Sequence, residues 1–259
     1  KQEVASYLKY QKGIVCTAEL QALAGWRREE AENFMTECLA HFNGRAEISP
    51  NGTLYGDFPD INRRADKSDE TPVVFYWNEY EPPYELTGNT SGKNALIIFM
   101  NIFNFAASLF ILSQGSEYMD ESVATWLGWI PLVYSALFFL IPVLRYFALL
   151  PARREQHRNN IRKRLLKLIF QSSNPRITLQ QLTAAANAGN GSEEKLDAKT
   201  VESIMQDLVY DLQGELIIRE SDAELEYDFS RFAQELDDTQ EAREEKNSDD
   251  RLGNVIMEA

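Results

Sequence analysis

The residue types that most often act as nucleophiles or metal ligands are few and scattered in this chain of 259 residues. There are two cysteines, Cys16 and Cys38, and two histidines, His41 and His157. Their positions lack the clustered C-x-x-C or His/Cys spacing that a zinc site requires. The sequence therefore predicts no cofactor and no metal site, and it predicts that both cysteines are buried free thiols in a reducing compartment.

The stretch GNTSGKN at 88–94 invites comparison with a phosphate-binding loop. That loop needs four residues between its glycines and a Ser or Thr directly after its Lys. Gly88 and Gly92 are separated by only three residues, and Asn94 follows Lys93. Carboxylates are abundant, but their spacing is typical of solvated helix faces, and no Ser/His/Asp or Cys/His set accompanies them. We therefore expect that the protein is not an enzyme and has no catalytic residues.

Two long apolar runs dominate the middle of the chain, at 95–112 and 126–150. A run of about 18 or more apolar residues is long enough to cross the hydrocarbon core of a bilayer as a helix. We predict transmembrane helices at 94–112 and 126–150, joined by a short external loop at 113–125. The connector has no Lys or Arg, whereas seven basic residues follow the second run, so the positive-inside rule places both termini in the cytoplasm. The expected localisation is an integral membrane protein with two spans, with a bacterial inner membrane as the working assumption.

The first span carries polar side chains along one face. Asn94, Asn101 and Ser108 recur every seven residues, and Asn104 lies three residues after Asn101. An amide that faced lipid would lose its hydrogen bonds, so we expect this face to pack against the second span or another subunit. A transport or conduction path lined by Asn101 and Asn104 is the alternative, although the span contains no Asp, Glu, His or Lys.

A basic cluster follows the second span, and the rest of the chain is acidic. The cluster is expected to set the topology and to attract anionic lipid headgroups, although topology alone would also explain it. The overall net charge is −14, and residues 197–259 contain 19 acidic and 6 basic side chains. An acidic surface repels phosphate backbones, which argues against nucleic acid as a partner. The basic residues are Arg153, Arg154, Arg158, Arg162, Lys163, Arg164 and Lys167.

The segment before the spans has a recognisable order of elements. An amphipathic helix over 1–13 precedes a short strand at Ile14–Cys16 and a helix that Thr17 caps and Gly25 ends. A second helix follows over 26–44, and Asn51 with Gly52 marks the turn of a β-hairpin. This order and length resemble the winged helix-turn-helix family, and the resemblance implies an α+β domain over residues 1–60.

In DNA-binding members of that family the third helix enters the major groove. Here that helix offers Trp26, Arg27 and Arg28 but also four glutamates, which would face phosphates at close range. The family also includes members that pair proteins, so the resemblance permits Trp26, Arg27 and Arg28 to contact a partner protein. A small apolar patch at the end of the chain is either a second partner contact or a frayed end; it contains Val255, Ile256 and Met257.

Residues 61–93 are expected to connect the first domain to the membrane. The polar stretch 61–72 is typical of a linker. The aromatic residues of 73–84 predict a strand at 73–80 that lies at the headgroup level or packs on the first domain. This segment therefore predicts a linker and an aromatic juxtamembrane strand.

The segment after the spans repeats the order of the first. A basic helix leads into a short strand at Arg176 and Ile177, a helix, a second helix that ends at Gly214, and a hairpin. With a shift of 170 residues, helix ends and core positions of the two segments coincide, which predicts an internal duplication of a winged-helix-like unit. The matched pairs are Glu32 with Glu202, Met35 with Met205, Cys38 with Leu208, Gly44 with Gly214, Ile48 with Ile218 and, after one insertion, Phe58 with Phe229.

The predicted fold class is thus two α+β soluble domains of winged-helix type joined by an α-helical transmembrane hairpin. The second domain covers 151–232 with its basic helix, and 233–259 is an acidic helix or a disordered tail. We expect a membrane-anchored scaffold or adaptor that binds other proteins at the cytoplasmic face, as a homo-oligomer or in a hetero-complex. A membrane-tethered transcription regulator and an accessory subunit of a transporter or channel are the alternatives.

Overall fold

The computed structural model describes residues 2–63, 72–188, 195–218 and 224–257, with side chains described from residue 4 to residue 246 within these ranges. It divides into two compact units. The mixed unit comprises Lys1–Glu81 and Arg158–Ala259, and the hairpin unit comprises Pro82–His157. The prediction of a mixed helix and sheet protein with two long apolar helices is confirmed, since the described residues contain small antiparallel sheets and two helices long and apolar enough to cross a membrane.

The first lobe of the mixed unit, residues 2–63, contains a three-stranded antiparallel sheet in the order β1-β3-β2. Glycine at position 52 has a φ of 91°, which lets the chain reverse between the second and third strands. The elements are α1 (Gln2–Tyr10), β1 (Ile14–Cys16), α2 (Thr17–Ala24), α3 (Arg28–His41), β2 (Arg45–Ile48), β3 (Leu54–Asp57) and α4 (Pro59–Arg63).

The hairpin unit contains helix α5 (Ser91–Gln114) and the first part of helix α6 (Glu121–Gln171). The sequence places the first span at 94–112, so α5 extends it by a few residues at each end. Helix α6 joins the predicted second span and the predicted basic helix into one element of 51 residues. It continues through Pro131, Pro142 and Pro151 without a break in the assigned helix.

The second lobe, residues 158–229, contains another antiparallel sheet, in the order β4-β6-β5. A last helix, α9 (Ser230–Met257), follows it. Of the two alternatives that the sequence leaves for the acidic segment, a helix or a disordered tail, the structure has a helix. The elements of the second lobe are the end of α6, β4 (Arg176–Thr178), α7 (Leu179–Ala188), α8 (Ala198–Asp211), β5 (Glu215–Ile218) and β6 (Leu225–Asp228).

The two sheets pair their strands in the same register. Strand β3 places Asp57 opposite both Ile14 and Arg45. Strand β6 places Asp228 opposite both Arg176 and Glu215. The residue after each of these aspartates is a buried phenylalanine whose N–H donates to a backbone carbonyl just before the first strand: Phe58 to Gly13 at 2.7 Å, and Phe229 to Pro175 at 2.8 Å.

The third helix of each lobe also ends in the same way. Asn43 and Gln213 both have a φ of 54°, and each is followed by a glycine. A Cβ atom on Gly44 or Gly214 would overlap the ring of Phe58 or Phe229, respectively, so the close approach of the ring requires glycine at both positions.

Two predicted details are wrong. Cys16, rather than Thr17, is the N-cap of α2, and its N–H donates to the Glu19 carboxylate at 3.1 Å. Residues 73–80 form no strand but contain a 3₁₀ turn at Tyr76–Asn78. In the turn Phe75 stacks on Trp77, with ring centroids 4.7 Å apart, and Trp77 is buried in a hydrophobic core.

The two lobes share one hydrophobic core. Cys16, Ala18 and Ala22 of the first lobe belong to the same buried cluster as Leu165 and Met205 of the second. A second cluster lies within residues 1–81 and is built around Leu8, Leu20, Met35 and Phe58. Because each lobe covers apolar surface of the other, the lobes stabilise each other.

We expect the substitution Gly214→Ala to destabilise the mixed unit by about 1–3 kcal/mol, because the added methyl group must displace the Phe229 ring from a packed core. Chemical unfolding of the detergent-solubilised chain, followed by tryptophan fluorescence, measures this change. Gly88→Ala is the matched control, since nothing lies within 4 Å of a Cβ atom at that position. Equal unfolding midpoints for the two variants would contradict the prediction.

Candidate interaction sites

Helix α9 begins in the core of the second lobe. Its N-terminal turn is capped by Asp228, whose carboxylate accepts the N–H of Ser230 at 2.8 Å. Phe229 and Phe232 are buried in the shared core, and Leu236 packs against it. This end of the helix is therefore fixed by apolar contacts, and the rest of the helix extends along the first lobe.

The first polar contact with that lobe is made by Glu235. Its carboxylate accepts the backbone N–H of Ala18 at 3.0 Å and a guanidinium N–H of Arg28 at 2.5 Å. Ala18 lies in the first turn of α2, where unpaired N–H groups and the helix dipole favour a negative charge. Glu235 thus joins the start of α2 to the start of α3.

The second contact is made by Asp238, which is only 4% exposed. It accepts the hydroxyl of Ser49 at 2.5 Å and the side-chain amide of Asn51 at 2.8 Å, both at the turn of the first hairpin. Burial by itself would raise the pKa of Asp238, but the hydrogen bonds from Ser49, Thr53 and Asn51 outweigh it and lower that pKa below its ordinary value. The aspartate is therefore a charged acceptor at neutral pH.

The third contact is a buried ion pair. Arg243 donates to the carbonyl oxygen of Ile14 at 2.9 Å and to the carboxylate of Glu19 at 2.5 Å. The same carboxylate, 4% exposed, accepts the hydroxyl of Tyr7 at 2.9 Å. Burial, with a further contribution from Glu19, raises the pKa of Tyr7, so its hydroxyl stays protonated and remains a donor. Further along α9, Lys246 pairs with Asp57 of strand β3.

Cys16 lies beneath this part of α9 and is fully buried. Burial raises the pKa of its thiol, and the nearby carboxylates of Glu19 and Glu235 raise it further. Since the thiolate is the reactive form of cysteine, the folded protein holds Cys16 in its unreactive form. In the part of the chain that the structure describes, no group of three or more His, Cys, Asp or Glu side chains could hold a metal ion.

Three residues also connect the two lobes directly. Arg162 of α6 donates to the carbonyl oxygen of Gly25 at 3.1 Å and to the Asp211 carboxylate at 2.8 Å. Gln21 of α2 donates to the backbone carbonyl of the same Asp211 at 2.9 Å. The end of α8 is thereby fixed against the end of α2.

The predicted headgroup cluster divides into residues held by protein and residues with exposed side chains. Lys163 is only 3% exposed and donates to the carbonyl oxygen of Glu79 at 2.6 Å. Arg162 contacts the first lobe as described, and Arg164 donates to the carbonyl oxygen of Ala186 at 3.3 Å.

Arg153, half-buried, donates to the carbonyl oxygen of Tyr84 within the hairpin unit at 2.8 Å. The side chains of Arg154 and Arg158 are exposed, Arg158 pairs with Asp207, and Lys167 is half-buried.

The predicted partner contacts at the start of α3 are in three different situations. Trp26 is half-buried and packs on Phe34 with ring centroids 4.5 Å apart. Arg27 is exposed at the N-cap of the helix. Arg28 is held between Glu235 and Glu32. The side chains of Val255, Ile256 and Met257, the other predicted contacts, lie outside the described residues.

The predicted polar face of the first span makes one hydrogen bond between the two helices of the hairpin. The amide of Asn104 donates to the hydroxyl of Ser135 in α6 at 2.9 Å. Ser108 is buried beside Gly128 of α6, where a Cβ atom would lie 3.3 Å from the Ser108 carbonyl oxygen. The side chain of Asn101 donates to the Ile97 carbonyl of its own helix, and that of Asn94 donates to Thr87.

Exposed apolar side chains on the outer strands were missed by the sequence analysis. Ile48 on β2 is 70% exposed and Ile218 on β5 is 64% exposed, and both strands are edges of their sheets. Leu216 on β5 is also exposed, as is Leu54 at the start of the central strand β3. Edge strands carry unpaired backbone groups, so the two edges are surfaces on which another protein could pack. The alignment of Ile48 with Ile218 under the shift of 170 residues was the sequence pattern that could have identified these side chains.

Comparison with protein-family models, curated proteins and solved structures gave no match to this chain.

We expect Arg243→Gln to lower the free energy of unfolding by about 3–5 kcal/mol, because the variant leaves the buried Glu19 carboxylate without its cation. The double substitution Glu19→Gln with Arg243→Gln should recover much of this loss, since it removes both charges. Chemical unfolding of the wild type, the two single variants and the double variant in the same detergent tests the prediction. A double variant as unstable as the sum of two single variants would contradict it.

In the hairpin unit we expect Asn104→Leu to weaken helix packing by about 1 kcal/mol, through loss of the hydrogen bond to Ser135. Asn101→Leu is the matched control, because the described hydrogen bond of Asn101 stays within its own helix. Proteolytic or denaturant-induced separation of the two helices in mild detergent would report the difference. A larger effect at Asn101 than at Asn104 would contradict the assignment.

Proposed function

We propose that this protein is a membrane-anchored, non-enzymatic scaffold that presents its mixed unit at the cytoplasmic face and binds other proteins there. The observation that carries the membrane part is the exposure of large apolar side chains along both long helices, including Phe99, Phe103 and Phe110 on α5. Exposure of such an apolar surface to water would be unfavourable in free energy, whereas the lipid tails of a bilayer would cover it.

The orientation follows from the charges that flank the two helices. The connector between them has acidic residues and no Lys or Arg, and the basic cluster lies beyond the second helix. The positive-inside rule then assigns the connector to the outside and both termini to the cytoplasm. Arg154 and Arg158, whose side chains are exposed, are the residues of the cluster best suited to attract anionic headgroups.

We further propose that the two lobes are copies of one winged-helix-like unit. The shared strand order, the shared register, the matching φ of Asn43 and Gln213, and the paired contacts of Phe58 and Phe229 support this proposal. The same close approach of a phenylalanine ring to a glycine would not be expected in two segments of unrelated origin. The duplication would give the chain two related binding surfaces.

Protein partners fit these surfaces better than DNA does. The surface that a winged helix would turn toward DNA includes the start of α3 and the hairpin turn, and in the first lobe it already faces the carboxylates of Glu235 and Asp238. In the second lobe, Glu202 and Asp207 lie on α8. The exposed apolar edges at Ile48 and Ile218 supply the apolar contact that a protein interface requires.

Gentle detergent extraction followed by affinity purification and mass spectrometry tests the proposal. We expect a complex heavier than the monomer, with either further copies of the chain or other membrane-associated proteins. Replacing both edge isoleucines, Ile48→Lys with Ile218→Lys, should reduce the complex about tenfold or more, because a charge in an apolar contact is costly. Tyr10→Lys, at another exposed apolar site, is the matched control.

A monodisperse monomer without a co-purifying protein would contradict the scaffold. Salt-sensitive binding of duplex DNA by the purified chain would favour a membrane-tethered transcription regulator in its place. Substrate flux that depends on Asn101 and Asn104 would instead favour a transport subunit.

A further inference from the structure

The middle of helix α9 docks on the first lobe through polar side chains. From 237 to 246, the buried residues of α9 are Asp238, Thr239 and Arg243. The apolar anchors Phe229 and Phe232 lie before this segment and pack in the shared core. Regions with few buried apolar contacts open at lower free energy than the core does. Release of this segment must break the Arg243–Glu19 pair, but it leaves the apolar anchors of the N-terminal turn in place.

Glu235 and Asp238 of α9 cover a set of donors on the first lobe, whereas Arg243 and Lys246 further along the helix cover the carboxylates of Glu19 and Asp57. The donors are the N–H of Ala18, the guanidinium of Arg28, the hydroxyl of Ser49 and the amide of Asn51. All four donate to the carboxylates of Glu235 and Asp238, which lie three residues apart on one face of a helix. Three separate elements thus converge on two carboxylates at helical spacing, which is the chemistry of an acidic helix.

We propose that α9 is an intramolecular latch: it occupies the face of the first lobe that binds an acidic helix of a partner protein, and the partner binds when this part of α9 is released. The inference rests on the proposed scaffold function, because Arg28 belongs both to the partner surface and to the latch. A partner must replace the carboxylates that Glu235 and Asp238 supply, since the donors would otherwise lose their acceptors.

Cys16 provides a direct measure of the latch. Its thiol is fully buried beneath α9, close to Glu235 and Thr239. Release of the helix removes the burial and one nearby carboxylate, and both changes make the thiol more reactive. The alkylation rate of Cys16 therefore reports the open fraction in the intact chain.

The test compares two double variants of the full chain in mild detergent. Glu235→Ala with Asp238→Ala removes the two docking carboxylates, and Asp237→Ala with Glu241→Ala removes two carboxylates from the exposed face. Both variants change the charge equally and gain the same helix propensity. We expect maleimide to alkylate Cys16 about tenfold faster in the docking variant than in the wild type, as the local opening becomes easier, and within about twofold of wild type in the control.

The second measurement uses a fluorescent peptide with the sequence of residues 230–257 as the acidic helix. We expect it to bind the docking variant about tenfold more tightly than it binds the wild type or the control, because only that variant bares the donors. Duplex DNA of similar length and high charge is added in a parallel experiment.

Each other outcome overturns the proposal. Equal alkylation rates in the two variants mean that the carboxylates hold no latch, and fast alkylation without peptide binding means that the bared face does not take an acidic helix. Binding of DNA in place of the peptide would assign the face to nucleic acid. Affinity purification of the wild type tests the scaffold separately from the latch. If the wild type purifies in a complex but the peptide does not bind the docking variant, only the latch is contradicted. If neither double variant purifies in a complex, the scaffold is contradicted even when the peptide binds.

Discussion

The buried carboxylate of Glu19 is the group on which the arrangement of the mixed unit depends. A charge taken out of water must be compensated by nearby donors or an opposite charge. Here the donors are the hydroxyl of Tyr7, the N–H of Cys16 and the guanidinium of Arg243. They come from α1, β1 and α9, so one carboxylate holds these three elements of the mixed unit together. Arg243 also satisfies the carbonyl of Ile14 on the edge strand β1, which protects that edge from unwanted pairing.

The mixed unit is assembled from two pieces of chain that the hairpin unit separates in sequence. The chain leaves the unit at Glu81 and returns at Arg158, so no short loop connects the lobes. Contacts between distant residues must replace that connection, and the described residues provide them in the shared core, in the hydrogen bonds from Arg162 to Gly25 and from Gln21 to Asp211, and in the docking of α9. Forming such long-range contacts costs chain entropy. The buried charged side chains among them stabilise the fold only when each is well paired with an opposite charge or hydrogen-bonding group.

Much of the local structure could be predicted from the sequence, because it depends on neighbouring residues. The turn at Asn51 and Gly52, the helix ends at Gly44 and Gly214, and the two apolar helices all follow from short patterns. The docking of α9 could not be predicted in this way. Glu235, Asp238 and Arg243 belong to a charged run that is typical of a solvated helix, and their partners lie about 190 or more residues away in sequence. The strand predicted at 73–80 was wrong for a related reason: aromatic residue types favour a strand, but in the structure Trp77 packs on the distant Phe170 and is buried in the shared core.

The separation of 224 residues between Glu19 and Arg243 has a consequence for biogenesis. The ribosome completes the first lobe and both apolar helices long before it reaches this residue. During that interval Glu19 has no arginine to pair with, and the face of the first lobe that α9 covers stays open to chaperones and proteases. Synthesis of α9 therefore supplies the residue that completes the first lobe. Chains that stop before Arg243 leave the Glu19 carboxylate without its cation, and their open face exposes them to the quality-control proteases of the cell.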